Sequence, residues 1–105
     1  MIRTFKEPAS NQTADLRVDE EFQIVLPENP TTGYRWHIPD RVPPIVVLLE
    51  HHFERSSGLL GAGGTHEWKF RAVKPGTGVI EMFYARSFEK GKIAQQFRLQ
   101  IRITA

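Results

Sequence analysis

The sequence predicts an all-β fold, an immunoglobulin-like antiparallel β-sandwich of about seven strands with no disulfide. Three observations carry that expectation. Apolar residues recur at period two through most of the chain. Prolines and glycines fall between the alternating runs or at their margins, where they do least harm to a strand ladder. No stretch of about twelve residues combines a 3.6-residue period with helix caps. The length of 105 residues suits one domain, expected to span residues 1–105.

Taken in order, a ragged first strand lies near Leu16 and Val18. Phe22, Ile24 and Leu26 then alternate with Glu21, Gln23 and Val25. Tyr34, Trp36 and Ile38 alternate with Arg35 and His37. The longest apolar run, Ile45 to Leu49, follows and is far too short to cross a bilayer. Trp68, Phe70 and Ala72 alternate with Lys69 and Arg71. Pro75, Gly76 and Gly78 form a turn cluster that leads into Ile80, Met82 and Tyr84. In the last strand Ile93, Phe97, Leu99, Ile101 and Ile103 share one face, and Ala94, Gln96, Arg98, Gln100, Arg102 and Thr104 share the other. The expected core is Phe22, Ile24, Leu26, Trp36, Leu48, Trp68, Phe70, Ile80, Met82, Phe97, Leu99 and Ile101.

Composition narrows the function. Hydrophobic residues make up 40% and charged residues 25%, an ordinary globular balance. Fourteen Lys and Arg against twelve Asp and Glu leave a net charge of +2, and the basic residues are scattered from Arg3 to Arg102. A nucleic-acid binder needs a clustered basic face, so none is expected here. The absence of cysteine removes disulfides, thiolate metal sites and thiol nucleophiles together. The segment Met1 to Glu7 lacks the apolar stretch of a secretory signal, so the protein either stays inside the cell or has lost a leader. Neither a membrane nor a cofactor is expected as a partner.

Catalysis lacks its usual residue sets. Four histidines are present, but His51 and His52 are adjacent and point to opposite faces of a strand, while His37 and His66 are isolated in sequence. These read as solvent-facing strand histidines, and no metal site is expected. Ser10, Ser56, Ser57 and Ser87 lie outside any G-x-S-x-G elbow. The glycines of Gly61-Ala62-Gly63-Gly64 fit no phosphate-binding loop, and no helix follows them. Asn11-Gln12-Thr13 matches a glycosylation sequon, a triplet common by chance.

Three loops have more chemistry than a connection requires. In Glu28-Asn29-Pro30-Thr31-Thr32-Gly33-Tyr34, proline biases Asn29 toward extended backbone and fixes its own φ. Two β-branched threonines follow, and Gly33 can supply a positive φ where the chain turns back into a strand. Turn chemistry alone leaves two readings open, a well-made turn or a pre-shaped binding tip. The stretch Ser56 to Gly64 holds four of the eight glycines and two leucines, Leu59 and Leu60, which suits either a tolerated flexible tip or a surface for close approach. The third loop, Tyr84 to Gly91, presents Arg86 and Phe88, residue types common among binding anchors. In a sandwich alternate connections emerge at the same end, so the three loops would form one composite surface.

Asn29-Pro30-Thr31-Thr32-Gly33-Tyr34 with Trp36, Gly61-Ala62-Gly63-Gly64, and Arg86-Ser87-Phe88 after Tyr84 resemble the three motifs of the chagasin family of cysteine-peptidase inhibitors. That family's pattern is N-P-T-T-G-Y/F, then G-x-G-G, then R-P-W/F. Order and separation match, and the resemblance extends from about Leu16 to Ile103. One position departs, because Ser87 stands where the family usually has proline. The resemblance implies a reversible inhibitor of papain-like (cathepsin-like) cysteine peptidases and not an enzyme. It implies that Pro30, Thr31, Thr32 and Gly33 enter the middle of the peptidase cleft, with Asn29 and Tyr34 also among the peptidase-binding residues. Gly61, Ala62, Gly63 and Gly64 would lie along its walls, with Arg86 and Phe88 gripping the opposite rim and Ser87 between them in the peptidase-binding set. A monomer is expected. The alternative is an immunoglobulin-like interaction or adhesion module that uses the same loops on another partner.

Overall fold

Alternation along the chain becomes eight described strands. They are β1 (Arg3–Lys6), β2 (Gln12–Arg17), β3 (Glu21–Glu28), β4 (Tyr34–His37), β5 (Val46–Arg55), β6 (Gly64–Ala72), β7 (Gly76–Arg86) and β8 (Gln95–Thr104). The structure is a computed structural model and describes residues 2–6, 12–29, 32–38, 42–55, 63–86 and 95–105. One sheet has the order β1-β3-β6-β5 and the other β2-β8-β7-β4. The immunoglobulin-like sandwich expected from the sequence is what forms. It has one strand more than expected and two parallel pairings, β1 on β3 and β2 on β8, while the other described pairings are antiparallel. β1 escaped the sequence reading because it is four residues long and only Phe5 turns partly inward.

Period two places the core. Phe22 opposes Phe70 and Ile24 opposes Trp68 across β3 and β6. Met82 opposes Phe97 and Ile80 opposes Leu99 across β7 and β8. The Phe22 and Phe70 rings stack at 5.3 Å, and Phe5 meets Phe22 edge-on. The expected core residues are all buried except Leu48, which is 37% exposed. Leu48 does oppose the buried Phe70. However, β5 is an edge strand, and the edge strand across the sandwich, β4, is only four residues long. Leu48 therefore lines an open cleft with Trp36, Ile38, His51, His66 and Trp68 instead of being sealed. Ala14, Leu16, Ile45, Val46, Ala72 and Ile103 complete the core. Ile93 lies outside the described residues.

A β-bulge between Leu48 and Glu50 shifts the register of β5 so that His51, not Glu50, opposes Trp68. His51 consequently faces the cleft, and His52 turns to the outer face, where it pairs with Glu67 at 3.0 Å. Elsewhere on that outer face Glu21 meets Arg71 at 3.1 Å and Lys69 at 3.6 Å. The hydrogen bond from Arg71, aided by both positive charges, holds the Glu21 carboxyl below its ordinary range.

Strand direction sorts the connections into two poles. At one pole the amide of Asp19 donates to Ala72, that of Ala72 donates to Glu20, and that of Val73 donates to Ile45. Asp19 sits there at a φ of 74°, a conformation that aspartate tolerates in turns. The β3–β4, β5–β6 and β7–β8 connections all leave from the other pole, where the described residues of the three loop motifs lie.

Candidate functional site

The first motif makes the passage from one sheet to the other, because β3 belongs to the first sheet and β4 to the second. Its described frame is held by local hydrogen bonds. The Thr32 amide and hydroxyl both donate to the Asn29 carbonyl, at 3.2 and 2.8 Å. The Tyr34 amide donates back to the Thr32 hydroxyl at 3.3 Å. Gly33 adopts a φ of 85°, the positive value its place in the sequence calls for. Below the loop, Trp36 ties the two sides together. Its amide donates to Glu28 Oε2 and its indole N–H to the Pro27 carbonyl, both at 2.8 Å.

The second motif flanks this passage on the first-sheet side. Gly64 is paired with Glu28 on one side and Arg55 on the other. A Cβ on Gly64 would lie 2.0 Å from the Glu54 carbonyl oxygen, so only glycine allows the strands to approach this closely. Gly63, at a φ of 74°, packs against Asn29, and a Cβ there would come within 3.2 Å of both the Asn29 Cβ and the Glu28 carbonyl.

The third motif flanks the passage on the second-sheet side. Arg86 pairs with Tyr34 in the β4–β7 register. Its Nε–H donates to the Thr32 carbonyl at 3.0 Å, and its guanidinium lies 4.3 Å from the centre of the Tyr34 ring. Tyr84 stacks on Tyr34 at 5.4 Å and lies 4.9 Å from Trp36. The Tyr84 hydroxyl accepts the Asn29 amide at 3.0 Å. The second and third motifs thus grip the first from opposite sides.

Of the expected site residues, Asn29, Thr32, Gly33, Tyr34, Gly63, Gly64 and Arg86 come together at this pole. Pro30, Thr31, Gly61, Ala62, Ser87 and Phe88 lie outside the described residues, as do Leu59 and Leu60. The sequence reading missed three supporting side chains. The sequence places Tyr84 where a strand meets the third loop and gives it no role of its own. Glu28, which the sequence puts in the first loop, is buried at 4% exposure. His66 departs from the solvent-facing position expected of the histidines. Instead it stacks on Trp68 at 4.1 Å and places Nδ1 2.9 Å from Glu28 Oε1. Strand parity held the missing signal, because Glu28 is in phase with Phe22, Ile24 and Leu26, and His66 with Trp68, Phe70 and Ala72. Among the described residues no group of three His, Cys, Asp or Glu could hold a metal ion.

Chemically, the described part of this pole is a hydrogen-bonded ridge whose polar groups largely bond to one another. The sequence pattern described as chagasin family peptidase inhibitor I42 matches residues 15–103, which takes in all three motifs. The chain belongs to the chagasin family of peptidase inhibitors. It is 32% identical to chagasin of Trypanosoma cruzi over 79 residues, covering 70% of this chain and 72% of that protein. It is 28% identical to amoebiasin-1 of Entamoeba histolytica over 98 residues, covering 92% and 95% of the two chains. The crystal structure of a cysteine protease inhibitor from Entamoeba histolytica matches with a TM-score of 0.83 at 25% identity, over 98% of this chain and 95% of that one. Membership in the chagasin family makes this chain an inhibitor and not an enzyme.

Proposed function

We propose that this chain inhibits papain-like cysteine peptidases reversibly, by setting the ridge at its motif-bearing pole into the active-site cleft. Within the first motif, Pro30, Thr31, Thr32 and Gly33 occupy the middle of the cleft close to the catalytic cysteine and histidine. Gly61 to Gly64 lies along one wall, and Arg86, Ser87 and Phe88 meet the opposite rim. Residues 1–105 act as one inhibitory domain. The observation that carries this reading is the mutual bracing of the described motif residues, with Thr32 held by Asn29 on one side and by Arg86 on the other.

Two physical arguments support it. A peptidase cleaves an extended segment whose carbonyl is presented to the nucleophile in near-attack geometry. The described residues of the first motif are tied back on themselves, with the Thr32 amide and hydroxyl both bonded to the Asn29 carbonyl, which is not the frame of an extended substrate. A braced turn has also lost its conformational freedom before binding, so association costs less ordering entropy. Three adjacent loops suit the area of about 800 Å² per partner that is standard for peptidase–inhibitor complexes.

Titration of the chain into papain with a fluorogenic substrate tests the proposal. The expected result is stoichiometric or nanomolar inhibition that reverses on dilution, with the chain recovered uncut. No effect at micromolar concentration, or cleavage between Asn29 and Tyr34, would contradict it and favour an interaction module for another partner.

A further inference from the structure

Glu28 is the only charged residue buried among the described residues, and it lies in the neck of the first motif. A carboxylate this deep requires partners on both oxygens, and both are present. Oε2 accepts the Trp36 amide at 2.8 Å, and Oε1 lies 2.9 Å from His66 Nδ1. His66 Nε2 in turn lies 2.9 Å from Nδ1 of the exposed His51. A carboxylate oxygen accepts, and that sets the complementary ring tautomers along the row. His66 carries its proton on Nδ1 and donates it to Glu28, and its bare Nε2 accepts the Nδ1–H of His51. The row is a directed chain of donors from the surface to the neck, and the His66 ring is held in plane by its stack on Trp68, 5° from parallel.

The neck needs such a device. β3 and β4 pair with strands of different sheets and not with each other, so no ladder fixes the angle at which the first motif leaves the sandwich. What joins the two sides is the Glu28 carboxylate on the Trp36 amide, together with the Trp36 indole on Pro27 and the Asn29 amide on the Tyr84 hydroxyl. We propose that Glu28 is a positioning residue for inhibition: its carboxylate, aimed by His66 and His51, holds the exit of the first motif in its binding-competent orientation. The proposal rests on the inhibitor reading above. It predicts that losing the clamp lowers the competent fraction of the free protein and raises the apparent dissociation constant in proportion.

The test compares the wild type with Glu28→Ala, Glu28→Gln and His66→Leu. Inhibition constants against papain are measured alongside folded fraction and amide hydrogen exchange at Trp36 and, as a global reference, at Phe97 and Leu99. Glu28→Ala is expected to weaken inhibition about tenfold or more, with faster exchange at Trp36 and unchanged exchange in β8. Glu28→Gln is expected to recover most of the affinity. Its amide oxygen accepts the Trp36 N–H, its NH₂ donates to His66 Nδ1, and the tautomers of both histidines reverse to keep the row intact. His66→Leu, which leaves the Trp36 bond, is expected to fall between them at about threefold to tenfold. Wild-type affinity in a folded Glu28→Ala protein, or a loss that follows β8 exchange equally, would overturn the proposal. Should Glu28→Ala not fold, His66→Leu decides, and unchanged affinity there would overturn it. Failure of the wild type to inhibit papain would remove the inhibitor reading alone, because the exchange at Trp36 reports the clamp directly.

Discussion

Arg86 illustrates how a single side chain serves the site from within. The sequence suggested an anchor at the rim of the cleft. In the structure its Nε–H is committed to the Thr32 carbonyl and its positive charge lies over the Tyr34 ring, so it braces the first motif. The guanidinium has five N–H donors in a fixed fork, so bracing and an outward contact are compatible. Arg86→Lys retains the charge but loses both the fork and the stack. It is expected to weaken papain inhibition by about 1 kcal/mol, roughly fivefold, while the melting temperature stays nearly unchanged because the residue is not in the core. Inhibition constants and melting curves for the two proteins check this, and equal affinities would reduce Arg86 to its charge. Some of this scale was legible beforehand. Gly33 declared its positive φ, because a glycine closing a proline-led turn has few other uses. Glu28 and His66 were not legible as a pair. Their contact depends on the β3–β6 register, which sets His66 opposite Leu26 and diagonal to Glu28, and alternation within one strand does not specify its neighbour.

At the scale of elements, the second motif is part of the sheet as well as a loop. Gly64 begins β6 and lies between β3 and β5, with the Glu54 carbonyl 2.0 Å from where a Cβ would stand. Gly64→Ala forces backbone to shift and is expected to cost about 1–3 kcal/mol of stability. Denaturant unfolding measures that loss. Inhibition is expected to weaken as well, since Gly63 and Asn29 pack together at the next position. A stable Gly64→Ala protein would contradict the close approach of the strands. The strands themselves were readable because period two is a local property of the chain. The bulge in β5 was not, since Val46 to Leu49 is uniformly apolar and no alternation reveals where parity shifts. Leu48 was misplaced for a related reason, because its exposure depends on how short the opposing edge strand is.

Over the whole molecule, strand direction brings the motifs together. β3, β5 and β7 all end at one pole, so the described residues of the three motifs meet there although the first and third motifs are separated by about half of the chain. The first motif crosses between sheets, and the hairpins on either side belong to different sheets, which puts it in the middle. That order was legible from strand count and alternation, because alternate connections of a sandwich share an end. Where the sheets exchange strands was not, since β1 and β2 join different sheets through a segment whose composition does not announce it. Hydrogen exchange on the complex with papain tests the central claim most directly. The account predicts slowed exchange at Thr32, Gly33, Tyr34, Gly63, Gly64 and Arg86, with free-protein rates kept at Asp19, Ile45 and Val73 on the opposite pole. Protection at that opposite pole or along a sheet face, with the motif amides unchanged, would contradict it.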